Sequence, residues 1–240
     1  MSKTGKTVGI VAAALVAVAA VAAVVVLGQL GRLIEDGVEE HGPGLTGTDV
    51  DLGSASVSIF SGEGELKSFS IDNPKGFSDD KAFDLGRIRI AVEPRSLASD
   101  VVHIRQIVVD GPKLLAEFDA TGRNNLNAIL NNVRAAAGGG GKGSGDAGEG
   151  GSKKMIVDEF RFENAEARAL APAFNLDKTV KIPPVVLKDL GKRQGGLAVA
   201  DIANQVMRPI VDSTVKAASR EYLRAQGAKA KTKLLDKILQ

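Results

Sequence analysis

Leu66-Lys-Ser-Phe69-Ser-Ile71-Asp72-Asn73-Pro74 is the stretch that decides the fold, because the chain writes it three times. The second copy is Ile104-Arg-Gln-Ile107-Val-Val109-Asp110-Gly111-Pro112. The third is Val157-Asp-Glu-Phe160-Arg-Phe162-Glu163-Asn164-Ala165. Each reads apolar-x-x-apolar-x-apolar, then an acid, then Asn or Gly, then Pro or Ala. The apolar-x-apolar core has the period of a strand, and the acid-Asn/Gly-Pro/Ala ending is turn chemistry. The first two copies start 38 residues apart and the next two 53 apart. Gly138 to Ser152, a Gly-rich insert of 15 residues, lies between the last two, and removing it restores the 38-residue spacing. A repeated β unit points to an extended sheet rather than to an enzyme pocket.

Working outward, strand patterns surround each copy. Val57-Ser-Ile59 alternates before a turn at Ser61-Gly-Glu-Gly64, and Ile88-Arg-Ile90-Ala-Val92 alternates with Arg87 and Arg89 on its other face. Val102 and Ile104 share one face while Ile107 and Val109 are out of phase, which predicts a bulge near Arg105 and Gln106. Leu114–Phe118, Met155–Glu163 and Glu166–Leu170 read as further strands, and Thr179–Ile182 as an edge strand before Pro183-Pro184. Asn125–Ala137 is helical, with Leu126, Ile129, Leu130 and Val133 on one side. A helical period returns at Leu197, where Pro209 either kinks the helix or ends it. The expected fold class is α+β: a transmembrane helix, then a curved, mostly antiparallel β-groove-like sheet with helices packed on it, then a C-terminal helix.

The N-terminus supplies the membrane segment. Val8–Leu27 is twenty residues without a charge, about 30 Å as a helix, the thickness of the hydrocarbon core. Lys3 and Lys6 precede it, while Glu35, Asp36, Glu39 and Glu40 follow, so residues 1–7 are expected to stay in the cytoplasm and the rest to be exported. A cleaved signal peptide is the alternative, with small triplets such as Ala20-Val21-Ala22, but the apolar run continues past them to Leu27. The helical pattern runs on to about residue 40, and His41-Gly42-Pro43-Gly44 is expected to stop it. The expected divisions are then a β-groove-like unit with its helix over 45–137, a flexible linker at 138–152, continued sheet at 153–190 and a helical region at 197–240.

The net charge of +2 hides a polarity. Glu35–Asp100 holds fourteen acids and six bases, whereas Lys216–Gln240 holds seven bases and two acids. Lys229, Lys231, Lys233 and Lys237 lie opposite Leu234, Leu235, Ile238 and Leu239. This tail is either a helix packed on its own domain or a contact with a membrane surface or another subunit. No catalytic set is evident. The chain has no Cys, which removes thiolate chemistry, and its two histidines, His41 and His103, are far apart. Thr4-Gly-Lys-Thr7 and Gly141-Lys-Gly143 echo a phosphate loop without its frame. No metal, no cofactor and no nucleic-acid partner is expected.

The anchor, Leu45-Thr-Gly-Thr-Asp-Val-Asp-Leu52, Gly64–Pro74, Ile88–Val92, Ile104–Pro112 and the Asn-rich Gly122-Arg-Asn-Asn-Leu-Asn-Ala-Ile-Leu130 together resemble the AsmA-like proteins of the bacterial envelope. These are related to bridge-like lipid-transfer proteins built of repeating β-groove units. The resemblance covers roughly residues 5–190. It implies a single-pass protein of the bacterial inner membrane with a periplasmic domain whose apolar concave face suits acyl chains, binding membrane lipid or helping to move it through the envelope. Phe69, Ile71, Ile107, Val109, Phe160 and Phe162 are the candidate lipid-facing residues, and the competing reading makes them an ordinary core under helices Asn125–Ala137 and Leu197–Leu223. About eight strands at roughly 4.8 Å give a sheet only about 40 Å wide. That is too short to bridge an envelope alone, so a homo-oligomer or an accessory role in a larger envelope complex is the alternative function.

Overall fold

The structure, a computed structural model, describes residues 31–138 and 153–238 apart from 33 and 59. Helix α1, described at residues 31–32 and 34–46, leads into β1 (Val50–Val57), β2 (Glu63–Asp72), β3 (Lys81–Val92), β4 (Val101–Asp110) and β5 (Lys113–Glu117). Helix α2 (Asn125–Gly138) follows, then β6 (Lys154–Glu163), β7 (Glu166–Ala171), β8 (Leu176–Lys181), β9 (Val185–Leu190) and helix α3 (Val199–Ile238). All nine strands form one curled sheet. Pairing is antiparallel except for β4–β6 and β5–β7, which are parallel.

Nine strands make only six widths of sheet. β4 runs into β5, β6 into β7 and β8 into β9, and each pair keeps one register through its break. The offset between β4–β5 and β6–β7 is 53 residues from Val101↔Lys154 to Glu117↔Leu170, the spacing of the second and third repeat copies. Those copies therefore lie side by side, residue on equivalent residue. At the same spacing the sheet is about 29 Å across rather than the expected 40 Å, because what reads as separate strands is one long strand interrupted by the repeat's own turn.

That interruption crosses the whole sheet as a crease. Gly53, Ser68 and Gly86 are skipped by the β1–β2–β3 pairing. Gly111, Asn164 and Pro183 stand in the same line, between the halves of the long strands. Ser68, Gly111 and Asn164 have φ of 56°, 67° and 55°. This left-handed turn inserts one extra residue between inward-facing positions, so the strand bends without turning its apolar side outward. The motif is thereby explained: Val109 faces in, Asp110 faces out, Gly111 turns, and Pro112 is buried; Phe162, Glu163, Asn164 and Ala165 do the same. Asn164 Nδ2 also donates to Asp110 Oδ1 across the crease at 2.7 Å. The first copy departs from this. Its turn lies five residues beyond the crease, and Asn73 has no left-handed φ.

Asn73 instead enters a buried polar network. Its Nδ2 donates to Glu117 Oε2 at 2.8 Å, and Ser78 donates to the same carboxylate from N at 3.0 Å and Oγ at 2.6 Å. Asn125, fully buried, donates to Asn73 Oδ1 at 2.6 Å and to Leu115 O at 2.8 Å, and accepts from Glu117 N at 2.9 Å. Asn124 caps α2 by accepting from Asn127 N at 2.9 Å. The Asn-rich segment thus fixes the start of α2 against β5.

The bulge near Arg105 is present, as Ala91 pairs with Gln106 and Val92 with Ile104. The Gly42-Pro43-Gly44 sequence does not stop α1, which continues to Thr46. Pro43 sits in the last turn, and Gly47 (φ 74°) closes the helix by donating to Pro43 O at 2.8 Å. α3 runs through Pro209 as one helix. The span Val8–Leu27 and most of the 138–152 linker lie outside the described residues. Among the described residues no helix is long and apolar enough to cross a membrane.

Candidate functional site

The inward rows of the sheet are apolar from edge to edge. One row runs Ala55–Leu66–Ile88–Val109–Phe162–Val185, and another Val50–Ile71–Phe83–Leu114–Ala167–Val180. A third runs Val57–Gly64–Ile90–Ile107–Phe160–Leu187. Such a face requires a cover.

Helices cover part of it. α2 packs on β5 and on α3, and α3 lies along β5 through β9. The seat for α3 includes Ala165, Ala167, Ala169 and Ala171, all buried, with small side chains that let the helix approach closely. Tyr222 locks its far part, stacking on Phe118 at 4.8 Å and meeting Phe174 edge-on at 5.2 Å. α1 lies along β1: Glu35 Oε1 accepts from Ala55 N at 2.7 Å, and Gly31 leaves no room for a Cβ against Ala55 O. Over β1–β4, inward residues Ala55, Val57, Leu66, Phe69, Ile90 and Ile107 remain only half-buried. They form an apolar strip beside the helix-covered core.

The opposite face is polar. Glu65 meets Lys67 at 2.9 Å and Arg87 at 2.8 Å, and Arg161 meets Glu163 at 2.9 Å. The Lys67 hydrogen bond, helped by the charges of Arg87 and Arg89, holds the Glu65 carboxyl below its ordinary range against the opposing effect of burial. An open depression of about 720 Å³ is lined by Ser56, Glu63, Glu65, Arg89 and Gln106 together with Val57 and Ile90 of the strip.

The six candidate lipid-facing residues fall into two groups. Ile71, Val109, Phe160 and Phe162 are buried in the main core, whereas Phe69 and Ile107 are half-buried in the strip. Val57, Leu66 and Ile90 join them there without having been singled out; the alternation of Ile88 and Ile90 with Arg87 and Arg89 was the available signal. Lys229 is engaged by the fold, donating to Ala173 O and lying 5.5 Å over the Phe174 ring. Lys231 is exposed. The side chains of Lys233 and Lys237 lie outside the described residues. His103 Nε2 lies 3.0 Å from Asp158 Oδ1. Among the described residues no group of three or more His, Cys, Asp or Glu is placed to hold a metal.

A model of the AsmA family matches residues 1–139, more than half of the chain. The chain belongs to the AsmA family. No curated protein and no solved structure matches it. In this AsmA protein the matched segment holds β1–β5 and α2, including the half-buried strip and the Asn73–Glu117–Asn125 network. The strands and helix after residue 153 widen the same sheet and provide most of its cover.

Proposed function

We propose that this AsmA protein is anchored in the bacterial inner membrane by Val8–Leu27, with residues 1–7 in the cytoplasm and the sheet in the periplasm, and that it holds membrane lipid without enzymatic chemistry. The observation that carries this reading is the strip itself. Inward rows are apolar across all six widths of the sheet, yet α2 and α3 pack over β5–β9 and leave Val57, Leu66, Phe69, Ile90 and Ile107 half-exposed. An acyl chain laid on this strip gains about 0.8 kcal/mol for each CH₂ removed from water, so a short stretch of methylenes accounts for useful affinity. The charged rows on the other face give a lipid no comparable seat.

The test is lipid analysis of the full chain after exchange through an excess of a detergent unlike any phospholipid. Phospholipid retained in stoichiometric amount, and lost on Ile90→Glu or Ile107→Glu with the far-ultraviolet spectrum unchanged, supports the reading. A lipid-free wild-type protein defeats it.

A second reading, an accessory subunit that assembles with copies of itself or a larger complex, is favoured by one observation. The outer edge of β8–β9 pairs with no other strand of the sheet, and Val186 on it is 48% exposed. Cross-linking between copies at Val186 in native membranes would support this, and only monomers would oppose it.

A further inference from the structure

The end of the sheet that carries the β1–β2 turn has the properties of a membrane-facing surface. The turn is clamped. Gly62 N donates to Ser58 O at 2.7 Å, and Val92 N donates to Gly62 O at 2.6 Å. Gly62 has φ 73°, and a Cβ there would strike Val92 O and Pro94. Arg105 reaches over to donate to Val92 O at 3.3 Å. At the tip of this fixed turn Phe60 is 85% exposed, more than Val186, Val199 or Leu223.

The neighbouring connections bring positive charge to the same end. Lys153 Nζ donates to Leu97 O at 2.7 Å, joining the start of β6 to the β3–β4 connection, and Gly196 lies against Lys154 and Val101. Arg95, Lys153, Lys154, Lys192 and Arg193 are exposed there, against the exposed acids Glu63, Asp100 and Asp189. Asp189 is already paired with Lys192 at 2.8 Å.

Chain direction adds an independent argument. Gly31 lies beside Ala55 and Gly42 beside Val50. Eleven residues of helix and five of strand each advance about 16 Å, so α1 runs antiparallel to β1 and its Gly31 end lies toward the Phe60 side. The apolar run Val8–Leu27 ends four residues before Gly31, a chain length of no more than about 14 Å.

We infer that the Phe60 end docks on an anionic phospholipid bilayer, with the Phe60 ring at the level of the acyl chains and Arg95, Lys154 and Arg193 over headgroup phosphates. This rests on the anchoring proposed above. Because the chain has no Cys, single labels test it cleanly. The full chain is labelled with an environment-sensitive fluorophore at Ser61→Cys or, at the opposite end, at Ala120→Cys. Each protein is placed in vesicles of phosphatidylethanolamine and phosphatidylglycerol carrying a quencher near the headgroup. The expected result is a fall in emission of about twofold or more at 61 and none at 120. Phe60→Asp, and separately a change to phosphatidylcholine alone, should each remove most of the fall at 61. Protein that floats with the vesicles but shows equal emission at both positions overturns the docking while leaving the anchor intact. Protein that does not float overturns both. Ready disulfide formation between two copies of the unlabelled Ser61→Cys protein assigns the surface to a second chain and also overturns the inference.

Discussion

Gly111→Ala tests the crease. Gly111 has φ 67°, and a Cβ built on it meets nothing within 4 Å. The substitution therefore costs only backbone strain, about 1–2 kcal/mol for a side chain held in the left-handed region. Gly86 stands in the same transverse line, its Cβ would also meet nothing within 4 Å, and its φ is not left-handed. Glycine in a strand interior is roughly 0.5–1 kcal/mol worse than Ala, so Gly86→Ala is expected to be neutral or stabilising. The two variants should differ by about 1.5–3 kcal/mol, which is a midpoint separation near 1 M for a urea dependence of about 2 kcal/mol per M. Gly111→Asn, which copies the residue at the equivalent position 164, should recover most of the loss. Urea titration of the full chain followed by circular dichroism measures all three. Equal midpoints for Gly111→Ala and Gly86→Ala would refute the claim that the left-handed turn, rather than packing, demands the glycine.

Other outcomes follow from single contacts. Asn125→Leu leaves Glu117 N, Leu115 O and Asn73 Oδ1 without their partner, and is expected to cost about 3 kcal/mol or more in the same titration. Ala169→Leu forces a branched side chain under α3 at a fully buried position, with an expected loss of about 1–3 kcal/mol that a smaller residue on the facing side of α3 should partly recover. Asp119 accepts hydrogen bonds from Thr121 and from Arg123, and these, Thr121 first, hold its carboxyl well below the ordinary range. Its stabilising effect should be complete above about pH 4 and disappear as pH falls through the lowered value. The gap in melting temperature between wild type and Asp119→Asn should then narrow on acidification, and a gap that widens would contradict this.

Much of the architecture was legible because its causes are local. Alternation marks Ile88–Val92, the phase slip marks the Arg105 bulge, and the Asp-Gly-Pro and Glu-Asn-Ala endings mark the crease. What escaped depends on distant partners. The first copy looks like the other two, but its Asp-Asn-Pro lies beyond the crease, where Asn73 bonds a carboxylate 44 residues away. The repeat turns looked like strand ends, which inflated the sheet from six widths to eight. Of the apolar inward residues, periodicity could not say which ones α3 covers. The alanines at 165, 167, 169 and 171, spaced by two, are a seat for a helix that such a reading can recognise. They place the cover on β7 and leave the strip to β1–β4.

The most direct measurement is photo-cross-linking in living cells, with a benzophenone amino acid at Ile107 or Ile90 in the strip and at Arg89 on the polar face. Phospholipid captured at 107 and 90 but not at 89 is the result expected if the strip holds lipid. Capture at none of the three, or equally at all, would contradict it.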